Sequence, residues 1–371
     1  ARTVTDVGGI AGLSTGVIRS CENQGDVGYR QMGYNIGGIA GSQRGYLEGC
    51  VNRGTVQGRK EEGGIVGQLE PAARVEYSED ALQKLQGQLN ELNQTAGQVS
   101  GHLQSGTTGV SNGLASLQAQ AHSAGQAAAA LTPQAGQNWE LPDPDRIQAA
   151  KNDLTGRLTD MNQTLAGMSA AVQNSADALT ADLQDLTNQM NAINQTINHA
   201  GENLGWQFSD VSDADTEDDL TAKVENCRNE GEVFADWNSG GIAGAIAPEN
   251  DWDTVENVEF YGERSLHLYG ELRAVLLDCE NQAKVYAGKQ NAGGIAGWAS
   301  MGLIRGCVNE GDLNGEFADQ VGGIVGRSAA FVRDCSAKCR IAGNTQVGGI
   351  AGRGTVATGC RAMVLLEGAS E

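Results

Sequence analysis

Aromatic side chains are scarce, at 5% of 371 residues, and basic ones are outnumbered, with 25 Lys and Arg against 46 Asp and Glu. The first shortage excludes a wide core built on large rings and suits a narrow interior filled by Ile, Val, Ala and Cys. The second leaves a formal charge of −21, which argues against nucleic acid or an anionic membrane surface as a partner, because both need a basic face. No apolar run reaches 18 residues, so direct membrane insertion is not expected. The four histidines, His102, His122, His199 and His267, stand at no metal-ligand spacing with one another or with the cysteines.

Glycine is what the chain has in excess, 53 residues, and it recurs in phase. Val7-Gly8-Gly9-Ile10-Ala11-Gly12 returns in close copies, placing an isoleucine at 10, 39, 65, 242, 295, 324 and 350. About eleven residues after the isoleucine of an uninterrupted unit comes a Cys, most fully as Cys-x-Asn-x-Gly-x-Val in Cys21-Glu-Asn23-Gln-Gly25-Asp-Val27 and Cys50-Val-Asn52-Arg-Gly54-Thr-Val56. Each unit therefore holds three short alternating apolar segments separated by Gly or Asn, which is the pattern of strands and turns. The fold class expected is an all-β solenoid, a β-helix of about eight coils of 26 to 29 residues. The eighth coil is a degenerate unit read into the gap between Ile242 and Ile295, with Leu268-Tyr-Gly270 in the glycine place and Val255-Glu-Asn257 in the cysteine place.

Seven of the eight cysteines, Cys21, Cys50, Cys227, Cys279, Cys307, Cys335 and Cys360, share one position of the unit. They are expected to stack inward as reduced packing thiols. Cys339 replaces a turn glycine and is expected to be the most exposed thiol. The Asn two residues after each Cys is expected at a corner, in left-handed backbone, hydrogen-bonded to its equivalents above and below.

The solenoid is expected over residues 1–68 and 223–371, interrupted by an inserted segment at 69–222. There Leu82, Leu85, Leu89, Leu92 and Val99 open one heptad seam, and Leu154, Leu158, Met161, Leu165 and Met168 lie on a second. Two helices are expected, at about 76–131 and 145–204, separated by a stretch holding Pro133, Gly136, Pro142 and Pro144. They would form an antiparallel coiled-coil hairpin with arms of about 80 to 90 Å. Trp139, Leu141 and Pro142 then fall at the far tip, making them candidates for binding a partner. The run from Ser209 to Asp219 is dense in carboxylates and reads as a solvated linker. Weak calcium binding by residues 210–219 is the only cofactor reading the chain offers, and the run lacks the glycine and closing glutamate of an EF-hand loop.

Gly-Gly-Ile-Ala/Val-Gly followed by Cys-x-Asn-x-Gly resembles the GLUG-type repeats of large bacterial surface and secreted proteins, including adhesin-like chains and accessory regions of some immunoglobulin A peptidases. The resemblance covers the residues outside the helical insertion. It implies a bacterial protein, extracellular or on the cell surface, and no catalytic residues. Since the chain begins inside a repeat and ends just past Val364 and Leu366 with no polar cap, it reads as part of a larger protein. Gly12-Leu-Ser14-Thr-Gly16 has the serine-hydrolase pattern but recurs as Gly41-Ser42-Gln-Arg-Gly45 with no helix after it. The function expected is non-enzymatic adhesion or partner binding, to a surface protein or glycan of host or bacterium. The alternative is a polysaccharide-binding or polysaccharide-cleaving β-helix using Asp251, Trp252 and Asp253, with Trp237 and Trp298 in neighbouring coils.

Overall fold

The computed structural model describes residues 4–77, 81–102, 108–130, 144–172, 177–200, 208–248, 258–261, 268–354 and 356–368. Most of it is parallel β-sheet, accompanied by four helices. The chain divides into two compact units, one of Ala1–Ala73, Ser209–Trp252 and Glu271–Glu371, the other of Arg74–Phe208 and Asp253–Gly270.

In the first unit the glycine pairs and asparagines cut each repeat into strands of a few residues, and the repeats stack. Sheet 1 has fifteen strands and holds both the stretch leading into each glycine pair and the Asn of each Cys-x-Asn. Sheets 2 and 3 have seven strands each, sheet 2 running from Ala11–Ser14 to Ala351–Arg353 and sheet 3 from Val17–Arg19 to Val356–Thr358. Equivalent residues face each other across rungs, as Ala40 faces Val66 and Val66 faces Ala243. Such stacked parallel sheets are compatible with a β-helix.

The expected eighth coil is corrected by this register. Ala243–Ile246 pairs directly with Ala296–Ala299, leaving no place for a strand between them. Leu268–Arg273 belongs instead to a separate four-stranded sheet; Val255 and Asn257 lie outside the described residues. The 53-residue spacing is one rung with an excursion. Two adjacent rungs thus carry insertions at the same point of the repeat, for the chain leaves sheet 2 at Leu69 and at Ile246 and rejoins sheet 3 at Lys223 and at Val275.

Ile39, Ile65, Ile242, Ile295 and Ile324 stack fully buried, each removing enough apolar surface from water for roughly 2 kcal/mol or more. Beside them runs an asparagine ladder. Asn23 Nδ2 donates to Asn52 Oδ1 at 2.8 Å, Asn52 to Asn229 at 2.9 Å, Asn229 to Asn281 at 2.9 Å and Asn281 to Asn309 at 2.8 Å. The second glycine of each pair makes the ladder possible: a Cβ on Gly38 would overlap the Asn52 amide and the Gly64 carbonyl.

The left-handed corners fall elsewhere than expected. One is the residue before each Cys, at Ser20, Gly49, Asn226, Asp278, Gly306, Asp334 and Gly359, with φ between 50° and 69°, and a second runs through Asp6, Asn35, Glu61, Asn238, Asn291, Gln320 and Gln346, with φ between 53° and 64°. The ladder Asn is instead held by its side chain, because turning its backbone would pull the amide out of the stack. Asp, Asn and Ser tolerate the corner through local hydrogen bonding.

The second unit departs from the expected pair of long helices. Its helices are α1 (Ala81–His102), α2 (Thr108–Ala130), α3 (Pro144–Val172) and α4 (Asp177–Ala200). α1 packs against α2 and α4, and α3 packs against the same two, so α1 and α2 lie side by side and are not successive parts of one rod. One apolar cluster takes residues from all four, including Leu92, Leu117, Met161 and Met190. Each helix thereby gains two neighbours where a hairpin offers one, which buries even Ala121 and Ala124. Thr95 meets Gln189 at 2.9 Å, and Gln120 meets Thr164 at 3.2 Å. At a rise of 1.5 Å per residue these helices are about 33 to 44 Å long, half the expected arm. None of the helices is long and apolar enough to cross a membrane, among the described residues.

Candidate functional site

Trp139, Leu141 and Pro142, and likewise Asp251, Trp252 and Asp253, lie outside the described residues. Trp237 and Trp298 are half-buried but belong to different sheets, Trp237 to sheet 1 between Lys60 and Gln290, Trp298 to sheet 2 between Ala245 and Arg327. The structure does not bring them together.

The acidic run is a strap rather than a solvated linker. Asp210 accepts the backbone N–H of Gly302 at 2.7 Å, and Ser212 Oγ accepts that of Ala274 at 3.0 Å. Asp215, whose side chain is 1% exposed, is held by Lys223 at 3.1 Å and by Arg273, with Arg305 at 3.8 Å. Asp213 pairs with Arg333 at 2.6 Å and Asp219 with Arg273 at 2.8 Å. The strap crosses several rungs of sheet 3, and Asp210, Asp213, Asp215 and Asp219 face the protein's own cations and N–H groups, while Glu217 and Asp218 are exposed as a solvated linker would be. Among the described residues no group of three or more His, Cys, Asp and Glu is placed to hold a metal ion.

On the outer face of sheet 1 an aromatic stack forms that the sequence did not advertise. Phe234 and Tyr286 occupy the same position on successive rungs, so their rings lie parallel, 4.3 Å between centroids and 8° between planes. Arg30 covers the other face of Phe234 at 4.4 Å. The next rung places Asn314 opposite Tyr286, so the ring stack stops there, and Tyr286 and Asn314 both line a groove of about 520 Å³. Small residues, Ala342 and Gly343, continue the floor, while Lys284, Asp312 and Arg340 stand along one side. Glu316 stands on the other, on a bulge where Glu316, Phe317 and Ala318 oppose the single residue Asn344. Phe317 is 77% exposed on that bulge. Bulges re-aim side chains, commonly beside binding sites. The signal available in the sequence was the phase of Phe234 and Tyr286, seven residues after Cys227 and Cys279.

Two interior features were also missed or misplaced. Glu62 is fully buried in an inward row of Ile36, Glu62, Ser239 and Ala292, and no hydrogen-bond partner of good geometry meets either carboxylate oxygen. Burial, with Glu61 and Asp236 nearby, pushes its carboxyl well above the usual range. Cys50, Cys227, Cys279, Cys307 and Cys335 are buried free thiols, and burial pushes the Cys279 thiol well up. Cys339 is not the exposed turn thiol that was expected. It is half-buried against the core, ends the asparagine ladder by accepting Asn309 Nδ2 at 3.3 Å, and is pushed up to about 11 by burial and Asp312. The rung below has Ala337 in the Asn place, which leaves room for that sulfur.

No protein-family model, curated protein or solved structure matches this chain.

Proposed function

We propose that the first unit is a seven-coil β-solenoid serving as a non-enzymatic scaffold, and that its helical insertion is a recognition module for a partner at a bacterial surface or in secretion. The observation that carries this reading is the placement of the insertions. Seven rungs repeat without interruption in sheets 2 and 3, and both long excursions leave at the same corner of two adjacent rungs. A scaffold varied at one corner keeps its ladders intact while changing what it presents. The resemblance of the repeats to GLUG-type sequences supports the bacterial, extracellular setting, and the charge of −21 favours a partner that is neither nucleic acid nor an anionic membrane.

Binding of the fluorescently labelled full chain to intact bacterial and epithelial cells tests this, beside a variant in which residues 78–207 are replaced by a short Gly-Ser linker. Circular dichroism verifies that the variant keeps its strands. Cell binding by the full chain and its loss in the folded variant support the reading. Equal binding by both, or release of reducing ends from a polysaccharide panel, overturns it.

A further inference from the structure

We propose that the groove beyond Tyr286 binds a neutral polysaccharide, with one sugar ring stacked on Tyr286. This goes beyond the display reading, since no residue of the helical insertion takes part. The aromatic stack sets the geometry. Arg30 lies over the Phe234 ring, which stacks on Tyr286, and the in-register residues that follow, Asn314 and Ala342, carry no ring, so that Tyr286 ends the stack as a lining residue of the groove. The apolar face of a pyranose fits against an aromatic ring in the same way, and the small floor residues let it lie flat.

The lining selects the chemistry. Lys284, Asn314 and Arg340 supply donors, while Asp312 and Glu316 supply acceptors, an arrangement that meets hydroxyl groups, each of which both donates and accepts. Arg340 faces Glu367 at 3.9 Å, and Asp312 accepts the Arg340 backbone N–H at 2.8 Å. With both signs of charge interleaved on successive rungs, a uronate or sulfate group would meet carboxylates as readily as cations, so a neutral glycan is favoured over an anionic one. The groove runs across rungs, which suits an extended chain rather than a single monosaccharide.

The test uses the full chain in isothermal titration against neutral hexasaccharides of glucose, mannose, galactose and N-acetylglucosamine, with uronate-bearing and sulfated hexasaccharides alongside. Binding of at least one neutral ligand is expected, weakened tenfold or more by Tyr286→Ala. Asn314→Tyr, which adds a ring where the sugar would stack, abolishes binding without removing any native aromatic contact, and it decides the matter should Tyr286→Ala disturb the fold. The proposal is overturned if no neutral ligand binds, if only the anionic ones do, or if affinity survives Asn314→Tyr in a protein with an unchanged melting temperature. Carrying Asn314→Tyr in both chains of the cell-binding comparison removes binding through this groove, so either proposal can fail without the other.

Discussion

The two units use glycine in opposite ways. In the stacked sheets the glycine pair is a steric requirement, since a Cβ on Gly38 or Gly64 would overlap backbone and the Asn ladder of the same rung. In the helices Gly87, Gly125, Gly156 and Gly167 would present an added methyl to open space. One unit is built by close approach of equivalent backbones, so its small residues are fixed by the neighbouring rung. The other is built by side chains meeting across helix faces, so its glycines are tolerated where nothing packs on them. The exception is Gly113, over which Met168 lies.

The largest separation between the units should come from Gly64→Ala set against Gly125→Ala. The first is expected to destabilise by about 3 kcal/mol through overpacking, and the second to stabilise by up to about 1 kcal/mol, both read from urea unfolding. Equal effects would mean that the rungs yield more than their register implies. Next in size is Asn229→Ala at the centre of the ladder. It removes one bond each from the Asn52 amide and the Asn281 side-chain oxygen, which keep only their bonds to Gly54 and Ala283, at a cost of about 1 to 2 kcal/mol. Replacing Gln184, whose amide bonds only to exposed Asn188 on one helix, should stay within about 0.5 kcal/mol.

The interior of the sheet unit also holds an ionisable side chain, Glu62, of a kind not buried in the helical core among the described residues. Because burial raises the Glu62 carboxyl in the folded state above its unfolded value, folding favours the protonated form. Its stabilising contribution is complete below the unfolded carboxyl range and is lost as pH rises from about 4.5 through the raised folded value. Glu62→Gln is expected to flatten that decline in urea midpoints measured from pH 4 to 8. An unchanged slope would place the titration on another group.

The smallest expected effect concerns thiol access. With Cys339 pushed up to about 11, its native alkylation should climb about tenfold per pH unit from pH 7 to 10, while Cys279 and Cys307 stay unlabelled. Peptide mapping after timed alkylation reads both. Fast labelling of Cys339 at pH 7 would restore it to an exposed turn.

Phase was legible in the sequence wherever chemistry repeats: Ile, Gly-Gly, Cys and Asn each recur at one position, and the structure places each in a stack. The degenerate eighth coil was not, because Leu268-Tyr-Gly270 matches a worn repeat by spacing alone, and only the direct pairing of Ala243–Ile246 with Ala296–Ala299 shows the segment to be an excursion. The acidic strap was misread for a related reason. Its partners Arg273, Arg305 and Arg333 come from three different strands, the first of them outside the stacked rungs, distant in sequence from Asp213 and Asp215.

The helices draw the same line most clearly. Heptad spacing determined which residues turn inward, from Leu85 and Leu92 to Met190 and Ile193, and all four are buried. The number of helices was left open, since a seam repeating every seven residues serves a long hairpin and a four-helix bundle equally well. Sequence by itself determined the periodicities, because side-chain direction follows from local backbone geometry. Tertiary structure alone decided how often each chain segment folds back, which rungs carry excursions and which residues line the groove beside Tyr286, because those depend on contacts between residues that no local period links.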